Sequence, residues 1–518
     1  MLYGNLIRKH PRYTPEKWLD YDLLYKGGDA LLQNRAAMHR IFPMHGAEDA
    51  SVYEERLKRA CYIPYAGAIL DFLCASLVAE PAALTAEPKA PAFFDEFQHS
   101  VDGRVMSLND LLKQQVLTAL ICKCAWTLVD LPPRDDGAVI ESEADEEDVG
   151  QLRAFAFPVE PECVYDWDES PSGDLEWVLI CLKSQHRKSL SDDRSSITER
   201  YTWYSRDAWE RYEVTYKIGQ EPQPMQDIPL AASGPHSFGR VPLSRLEVSD
   251  GLWAMSKLAP LARTHLNKRS ATDWSMFRHL FPILAAYLGP EIGPGGEIPA
   301  EKAQDPARAT NQVYGIGRIV QFGDKDRLQY ESPDTGIYDA ALRDLTDLRD
   351  EIHRVVHQMA LAANNSAAAL GRSGESKAQD KASADVILVA LGELARAHAI
   401  EVAELAAAGR MDPPMEWTAH GMQDFDGEDL KNAVDEAALI DKLSIPSFTW
   451  KRLRTFHNAK KTLRGIANPE QLEEIRAELE KSITEESMQP VQEPDGDELP
   501  PQGRKPKPNG QPQQGTVA

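Results

Sequence analysis

The stretch Leu345-Thr-Asp-Leu-Arg-Asp-Glu-Ile-His-Arg-Val-Val-His-Gln-Met359 decides most of what the sequence predicts about the fold. Its apolar residues step by 3, 4, 3 and 4, which places them on one face of a helix: Leu345, Leu348, Ile352, Val355 and Met359. This heptad-like seam favours close packing of one helix against another. In a monomer the seam would be core, and in a ring it would pack against a neighbouring subunit. The sequence leaves both possibilities open.

Upstream of the seam, the chain predicts a second helix and an excursion between the two. Helix-compatible sequence runs over 252–278, and a stretch rich in Gly and Pro follows over 289–333. Near the end of that stretch, 317–322 has the composition of a strand. The pattern therefore predicts two long helices joined by a small, strand-containing excursion.

Downstream of the seam, the chain is helical again after a break. Two glycines and several polar residues over 364–377 predict a loop, and an Ala-rich helix follows over 382–408. Residues 428–483 have the pattern of three further helices. The tail from about Glu485 is rich in Pro, Gln and charge, which predicts disorder.

The N-terminal half mixes helices with strands. Ser107 is a candidate N-cap for an amphipathic helix that runs into the strand-like Cys124–Asp130. Between 151 and 248 the chain contains short aromatic and β-branched runs typical of antiparallel strands: 155–160, 177–182, 201–204 and 212–216. Their aromatic rings could stack on nucleic-acid bases, but no basic residues are interleaved with them, which favours a sheet core. We therefore predict an α+β fold that is mainly α.

Composition limits the function classes. The 518 residues include 57 Lys and Arg against 81 Asp and Glu, a net charge of −24, with 42% hydrophobic and 27% charged residues. These globular values exclude wholesale disorder, and the acidic balance argues against a protein that reads nucleic-acid sequence. The acidic run over 134–150 predicts a solvated loop rather than a metal site, because its carboxylates repel one another.

The six cysteines do not form a disulfide scaffold or a recognisable zinc site. No CxxC pair occurs, and Cys122 and Cys124 lie in an apolar run, which favours buried packing. The N-terminus lacks the apolar core of a secretory signal, and Leu280–Leu288 is too short to cross a bilayer. We expect a soluble protein that is made in a reducing cytoplasm.

No motif in the sequence predicts catalysis, a cofactor or a metal. Gly371–Lys377 misses the spacing of a phosphate loop and of a nucleophile elbow, and Gly315-x-Gly317 lacks the third glycine of a dinucleotide fingerprint. His353 and His357 are four residues apart on the seam helix but have no acidic residue in the position of a general base. Asp166 and Asp168 have no identifiable partner. We predict no catalytic residues, no metal and no cofactor.

The order of these elements resembles the portal proteins of tailed bacteriophages, over roughly residues 40–480. The local matches are each weak, and their order carries the resemblance. They are Tyr53–Tyr62 leading into Ile69–Leu73, Ala125–Pro132, Phe238–Leu243, Ala262–Asp273, Leu370–Ala378 and Met422–Phe425.

The resemblance implies a portal fold with an α/β wing, a two-helix stem, a small β-containing clip, a long wing helix and a helical crown. The implied parts are the wing at 1–250, the first stem helix at 251–281, the clip at 282–333, the second stem helix at 334–363, the channel-lining tunnel loop at 364–381, the long wing helix and return strand at 382–427, the crown at 428–483 and a disordered tail at 484–518.

The resemblance also implies a function and a set of partners. Portal proteins form rings, typically of twelve subunits, at one capsid vertex, where double-stranded DNA passes through them non-specifically during packaging and ejection. The implied partners are the terminase large subunit, scaffolding and major capsid proteins and a head-completion adaptor, with no membrane. The implied location is the virion, after assembly in the host cytoplasm.

Three basic residues near the implied tunnel loop are candidates for transient contact with the DNA backbone: Arg372, Lys377 and Lys381. They could equally serve only to keep the loop soluble. Two other functions stay open besides the portal. One is another phage head or adaptor assembly protein without a DNA channel, and the other is a hydrolase in the β region, which would need convergent Ser, His and Asp residues or metal ligands.

Overall fold

The computed structural model of the chain describes residues 1–46, 48–132, 153–185, 195–279, 283–287, 327–331, 335–364, 376–423, 425, 448–462, 471, 474–479 and 481. Contacts divide the chain into one compact unit, Met1–Phe425, and a second, Asp426–Ala518. The strand-like segment 317–322, the acidic run and the tail lie outside the described residues, as do most of the implied clip and crown.

Most of the strands lie in the first half of the chain, and β10, β11 and β12 lie between the long helices of the second half. The helices are α1 (Tyr3–Leu6), α2 (Pro15–Lys26), α3 (Gly28–Gln33), α4 (Arg35–Ile41), α5 (Ala50–Arg59), α6 (Tyr65–Leu77), α7 (Phe93–His99), α8 (Leu108–Cys122), α9 (Ala254–His279), α10 (Thr335–Asn364), α11 (Ser376–Arg410) and α12 (Phe448–Thr462). The strands are β1 (Ala83–Glu87), β2 (Cys124–Asp130), β3 (Phe155–Val159), β4 (Val164–Glu169), β5 (Leu175–Ser184), β6 (Ser196–Tyr204), β7 (Ala208–Lys217), β8 (Leu230–Pro235), β9 (Leu243–Glu247), β10 (Ile283–Tyr287), β11 (Arg327–Glu331) and β12 (Glu416–His420).

Within the described residues these strands pair only antiparallel. The sheets have the orders β3-β2-β9, β4-β5-β6-β7-β8, β1-β12 and β10-β11. About half of the described chain is helical, which is compatible with the predicted α+β class. The antiparallel β region predicted over 151–248 is confirmed, since its four aromatic runs form β3, β5, β6 and β7.

Local sequence explains where several helices begin. Ser107 caps α8, with its hydroxyl accepting from the Asp110 N–H while the Asp110 carboxylate accepts from the Ser107 N–H. This capping box confirms the predicted N-cap. Pro64 separates α5 from α6, because a proline inside a helix removes a hydrogen bond.

Helix α11 begins earlier than the sequence predicted. The structure starts it at Ser376, so the last part of the loop predicted over 364–381 is helical. The six residues involved, Ser-Lys-Ala-Gln-Asp-Lys, include no Gly or Pro and four good helix formers, so the Ala-rich helix extends backwards through them.

The large sheet lies between two apolar layers. On one face β4, β5 and β6 pack against the β3-β2-β9 sheet around Trp126, Trp167 and Tyr204. On the other face the sheet packs against α1 through Tyr3 and Leu6. The sheet core predicted from the sequence is therefore present and includes Tyr165, Trp167, Tyr201, Tyr204 and Tyr212, whereas Phe157 is 39% exposed.

The main core joins the remaining helices to the small sheets. It gathers apolar residues from α2, α6, α8, α9, α10 and α11, together with residues of β2, β3 and β9. Helix α11 contributes the small side chains Ala395, Ala399 and Ala403, each fully buried. Because alanine adds little bulk, α11 can lie close to several neighbours at once.

Candidate functional site

Helices α9 and α10, which coincide in sequence with the two implied stem helices, form an antiparallel pair. Lys268 Nζ lies 2.8 Å from Asp344 Oδ2, and the hydroxyls of Ser275 and Tyr338 lie 3.1 Å apart. These contacts bring the end of α9 beside the beginning of α10. The strands β10 and β11 lie between α9 and α10 in the chain and pair with each other in one short antiparallel ladder.

The seam of α10 is buried within a single chain. Leu345 and Leu348 are 6% exposed, Ile352 is fully buried and Val355 is 5% exposed. Ile352 and Val355 belong to the main core. The side chain of Met359 lies outside the part of the chain that the structure describes. The seam is thus used inside the chain, and its role in packing between subunits stays a prediction.

The outer face of α10 is charged. Asp339, Arg343, Asp347 and Arg354 are all exposed. Over its whole length α10 carries five carboxylates and three guanidinium groups. A surface of this kind repels phosphate on balance and holds isolated cations that could meet it briefly.

The side chains of the three basic candidates lie outside the described residues. Arg372 lies outside the described residues, while Lys377 and Lys381 lie in the first two turns of α11 with their side chains outside them. Their proposed contact with DNA stays a prediction.

A buried polar cluster that the sequence did not reveal ties α11 to the three-stranded sheet. His398 Nε2 lies 2.9 Å from Thr127 Oγ1 on β2, and His398 Nδ1 lies 2.9 Å from Ser244 Oγ on β9. Ser244 also donates to Glu401 Oε2 at 2.5 Å. Burial lowers the pKa of His398 to about 4, and it raises the pKa of Glu401.

This cluster contains serine, histidine and a carboxylate, but its geometry does not support hydrolysis. Ser244 is fully buried, so a substrate cannot reach its hydroxyl. The carboxylate of Glu401 bonds to the serine rather than to the imidazole, so it does not orient His398 as a base. The cluster instead fastens one turn of α11 onto the sheet with satisfied hydrogen bonds.

Sequence reasoning missed the cluster because its members are far apart in the chain. Ser244 and His398 are separated by 154 positions. The local signal was the i, i+3 spacing of His398 and Glu401, which places two polar groups on one face of α11.

The other residues that the sequence singled out lie in ordinary surroundings. Cys122 is buried and Cys124 half-buried, and burial raises the pKa of the Cys124 thiol to about 11. His353 is exposed on α10, with its ring edge on Tyr65 at 5.8 Å between centroids. Among the described residues, no group of three or more His, Cys, Asp or Glu side chains could hold a metal ion. No described helix combines the length and the apolar character needed to cross a bilayer.

Comparison with known proteins gives little guidance. No protein-family model matches the chain, and no curated protein matches it. Among solved structures, the chain is similar to the neck of a native GTA particle computed with C12 symmetry, at 12% identity and a TM-score of 0.34, over 75% of this chain and 90% of that one. It is also similar to the neck of an empty GTA particle computed with C6 symmetry, at 12% identity and a TM-score of 0.33, over 83% of this chain and 94% of that one. At these TM-scores the likenesses establish neither a shared fold nor a shared function.

Proposed function

We propose that the protein is a phage portal protein, which forms a ring at one capsid vertex and serves as a channel for DNA packaging and ejection. One observation carries the proposal. In the chain, a mixed α/β region is followed by helix α9, the strand pair β10–β11, helix α10, which runs antiparallel to α9, and then the long helix α11. This order matches the wing, stem, clip, stem and wing-helix order implied by the sequence resemblance.

The charge of the chain is suited to a conduit. Each copy carries −24, so a ring of twelve would carry about −288. DNA phosphates are repelled by an acidic wall and therefore slide without adhering to it. In the same proposal the excursion between α9 and α10 receives the terminase motor and the head-completion adaptor. The protein itself has a structural role without catalysis.

The experiment that tests this proposal is native mass spectrometry of the full chain, with negative-stain images of the same sample. We expect rings of about twelve copies with an open axial channel wide enough for duplex DNA. A species that stays monomeric or dimeric at high concentration, alone and with a scaffolding partner, would contradict the proposal. Rings with a closed axis would favour an adaptor or other head assembly protein without a DNA channel.

A further inference from the structure

Helix α10 has a second face, opposite the seam, that carries charged side chains along about four turns. These side chains lie about half a turn around the helix from the seam, and they are Asp339, Arg343, Asp347, Asp350 and Arg354. All are exposed except Asp350, whose side chain is still 45% exposed. We call this surface the outer face of α10.

The charges of the outer face are not neutralised within the described part of the chain. Four of the five side chains make no ion pair with any described residue: Asp339, Arg343, Asp347 and Arg354. The fifth, Asp350, uses one carboxylate oxygen to bind its neighbour Arg349 at 3.0 Å and has no described partner for the other oxygen. The outer face therefore offers charges of both signs to a partner.

A shallow groove of about 460 Å³ follows the outer face. Its described lining consists of Asp339, Leu342, Arg343, Thr346 and Asp347, all of which belong to α10. Leu342 is the apolar member of this lining and is 40% exposed. The described part of the chain thus supplies no second wall for the groove.

The order of the charges favours one kind of partner. Two arginines against three aspartates leave a net charge of −1 on the outer face, so neither a polyanion nor a polycation is matched by it. The order is instead complementary to itself when it is reversed about the midpoint between residues 346 and 347. Asp339 and Arg354 are equidistant from that midpoint, and so are Arg343 and Asp350.

We propose that the outer face of α10 binds the same face of a second copy of this chain, with the two helices antiparallel about a twofold axis between residues 346 and 347. In a twofold contact each interaction occurs twice. Asp339 with Arg354 and Arg343 with Asp350 therefore supply four ion pairs between the copies. Complementary charges of this kind fix the direction and the register of the two helices.

One contact near the axis opposes the pairing. The two copies of Asp347 lie on either side of the axis and repel each other, and Arg343, one turn away in each copy, reduces that repulsion. Exposed ion pairs are individually weak, and a single helix face is a small interface. We therefore expect a weak dimer that is sensitive to salt.

This dimer is distinct from the proposed ring. Copies in a cyclic ring are related by rotation about one common axis, so their equivalent helices cannot pair antiparallel about a twofold axis within the ring. The pairing of α10 thus belongs to chains outside a ring. The inference does not rest on the portal proposal, and either one can fail while the other stands.

The first test is sedimentation equilibrium of the full-length protein over a range of concentrations. We expect a monomer–dimer equilibrium in about 50 mM NaCl. The dissociation constant should rise at least about tenfold in about 500 mM NaCl, because salt screens the ion pairs. A chain that stays monomeric at every concentration in low salt, or a dimer that is indifferent to salt, would overturn the proposal.

Exchange of charges tests the register. Asp339→Arg and Arg354→Asp each place like charges opposite each other, so each alone should weaken dimerisation about tenfold. The double variant should restore it, because the exchanged charges meet again across the axis. The two positions are about 22 Å apart along one helix, so they cannot compensate within one chain.

The matched control for the exchange is Glu176→Arg. It makes the same change of charge as Asp339→Arg at an exposed position of β5 and should leave the dissociation constant unchanged. A double variant that dimerises no better than the two single variants, or a control that weakens dimerisation as much as they do, would contradict the pairing. Asp347→Asn should tighten the dimer about threefold, since it removes the like charges beside the axis, and weaker dimerisation would contradict the position of the axis.

Cross-linking tests the axis directly, in chains whose exposed Cys61 is replaced by Ser. Thr346→Cys lies beside the axis, so its two thiols should lose two protons and two electrons to diamide and form a disulfide between the copies. Ala340→Cys is the control on the same helix, because its two copies lie about 20 Å apart along the axis of the pair. Equal cross-linking of both variants, or of neither, would overturn the proposal.

Discussion

Helix α11 and the five-stranded sheet β4–β8 bury different kinds of side chain. Helix α11 buries aliphatic side chains, among them five alanines as well as Leu388, Leu391 and Leu405. Its Gly392 lies so close to the next segment that a Cβ there would sit 2.0 Å from the Met422 carbonyl oxygen. The sheet buries rings and a carboxylate. Glu199 is 1% exposed and accepts hydrogen bonds from the hydroxyls of Tyr3, Tyr201 and Tyr216 at 2.6–2.9 Å.

The difference shows two ways of specifying a contact. The helix gains close approach from small residues, with dispersion and burial as the stabilising forces. The sheet gains specificity from a buried acceptor that must be satisfied by several donors at once, including Lys183 Nζ at 2.6 Å. Burial raises the pKa of Glu199, but the hydrogen bonds from Lys183 and the tyrosines outweigh it and hold that pKa below its usual value. The following changes separate the two regions.

The largest loss of stability is expected from changes in the seam of α10. Replacing Leu348 and Ile352 together with Asp places two unpaired carboxylates in the core, at several kcal/mol each. Because a domain is stable by only about 5–15 kcal/mol, we expect no folded protein. Far-UV circular dichroism and soluble yield measure this. Leu342→Asp, 40% exposed on the same helix, is the control and should fold. A double variant that still folds would contradict the prediction that the seam is part of the core.

The next effect concerns the cluster that joins α11 to the sheet. Burial holds the pKa of His398 at about 4, whereas an unfolded histidine has a pKa near 6.5. The unfolded state therefore takes up the proton first as the pH falls. The contribution of neutral His398 to the free energy of unfolding is therefore fully present above about pH 6.5. It decreases by about 3 kcal/mol as the pH approaches 4.

Urea unfolding between about pH 7 and pH 4.5 measures that dependence. His398→Gln should remove most of it, while His99→Gln, at an exposed position, should leave it unchanged. The raised pKa of Glu401 acts in the opposite sense, since the folded state then binds the proton first, so Glu401→Gln should steepen the loss. An unaltered pH profile in His398→Gln would refute the assignment.

A smaller effect is expected in the five-stranded sheet. Glu199→Gln keeps the shape of the side chain but removes the charge from its hydrogen bonds, at a cost of about 2 kcal/mol. Glu213→Gln on β7 is the matched control. Its carboxylate pairs with Arg200 at 2.7 Å with both side chains exposed, so it should cost less than about 1 kcal/mol. Equal costs in denaturant titration would show that burial does not distinguish the two carboxylates.

The basic candidates are expected to affect function rather than stability. Changing Arg372 and Lys377 to Ala should leave the unfolding midpoint and ring assembly unchanged, because both are charged residues in a stretch whose polar and glycine-rich composition predicts a loop. If the protein is a portal, packaging or retention of DNA should decrease in the same variant. Normal packaging by assembled rings would remove their proposed role.

The smallest effect is expected at the C-terminal end. Deleting 485–518 removes a segment whose Pro- and Gln-rich composition cannot bury enough apolar surface to fold. Thermal unfolding and ring assembly should be those of the full chain. Loss of rings in the shortened chain would show that the tail takes part in assembly.

The sequence by itself determined the elements whose signals are local. The 3-and-4 spacing of Leu345, Leu348 and Ile352 predicted the buried stripe of α10, and Ser107 predicted the start of α8. Short runs rich in aromatic and β-branched residues predicted the antiparallel sheet over 151–248. Each of these follows from the period of a helix or strand, or from a cap that acts within one turn. The start of α11 was misplaced because polar helix formers resemble a loop in composition.

Only the tertiary structure decided the polar contacts and the order of the strands in the sheets. Thr127, Ser244 and His398 meet because β2, β9 and α11 are brought together from distant parts of the chain. The four donors on Glu199 likewise come from separate strands and from α1. The order β3-β2-β9, in which the neighbours of β2 come from distant parts of the chain, is likewise encoded by no local pattern. Periodicity fixes which face of an element is buried, but the neighbour it meets depends on long-range packing.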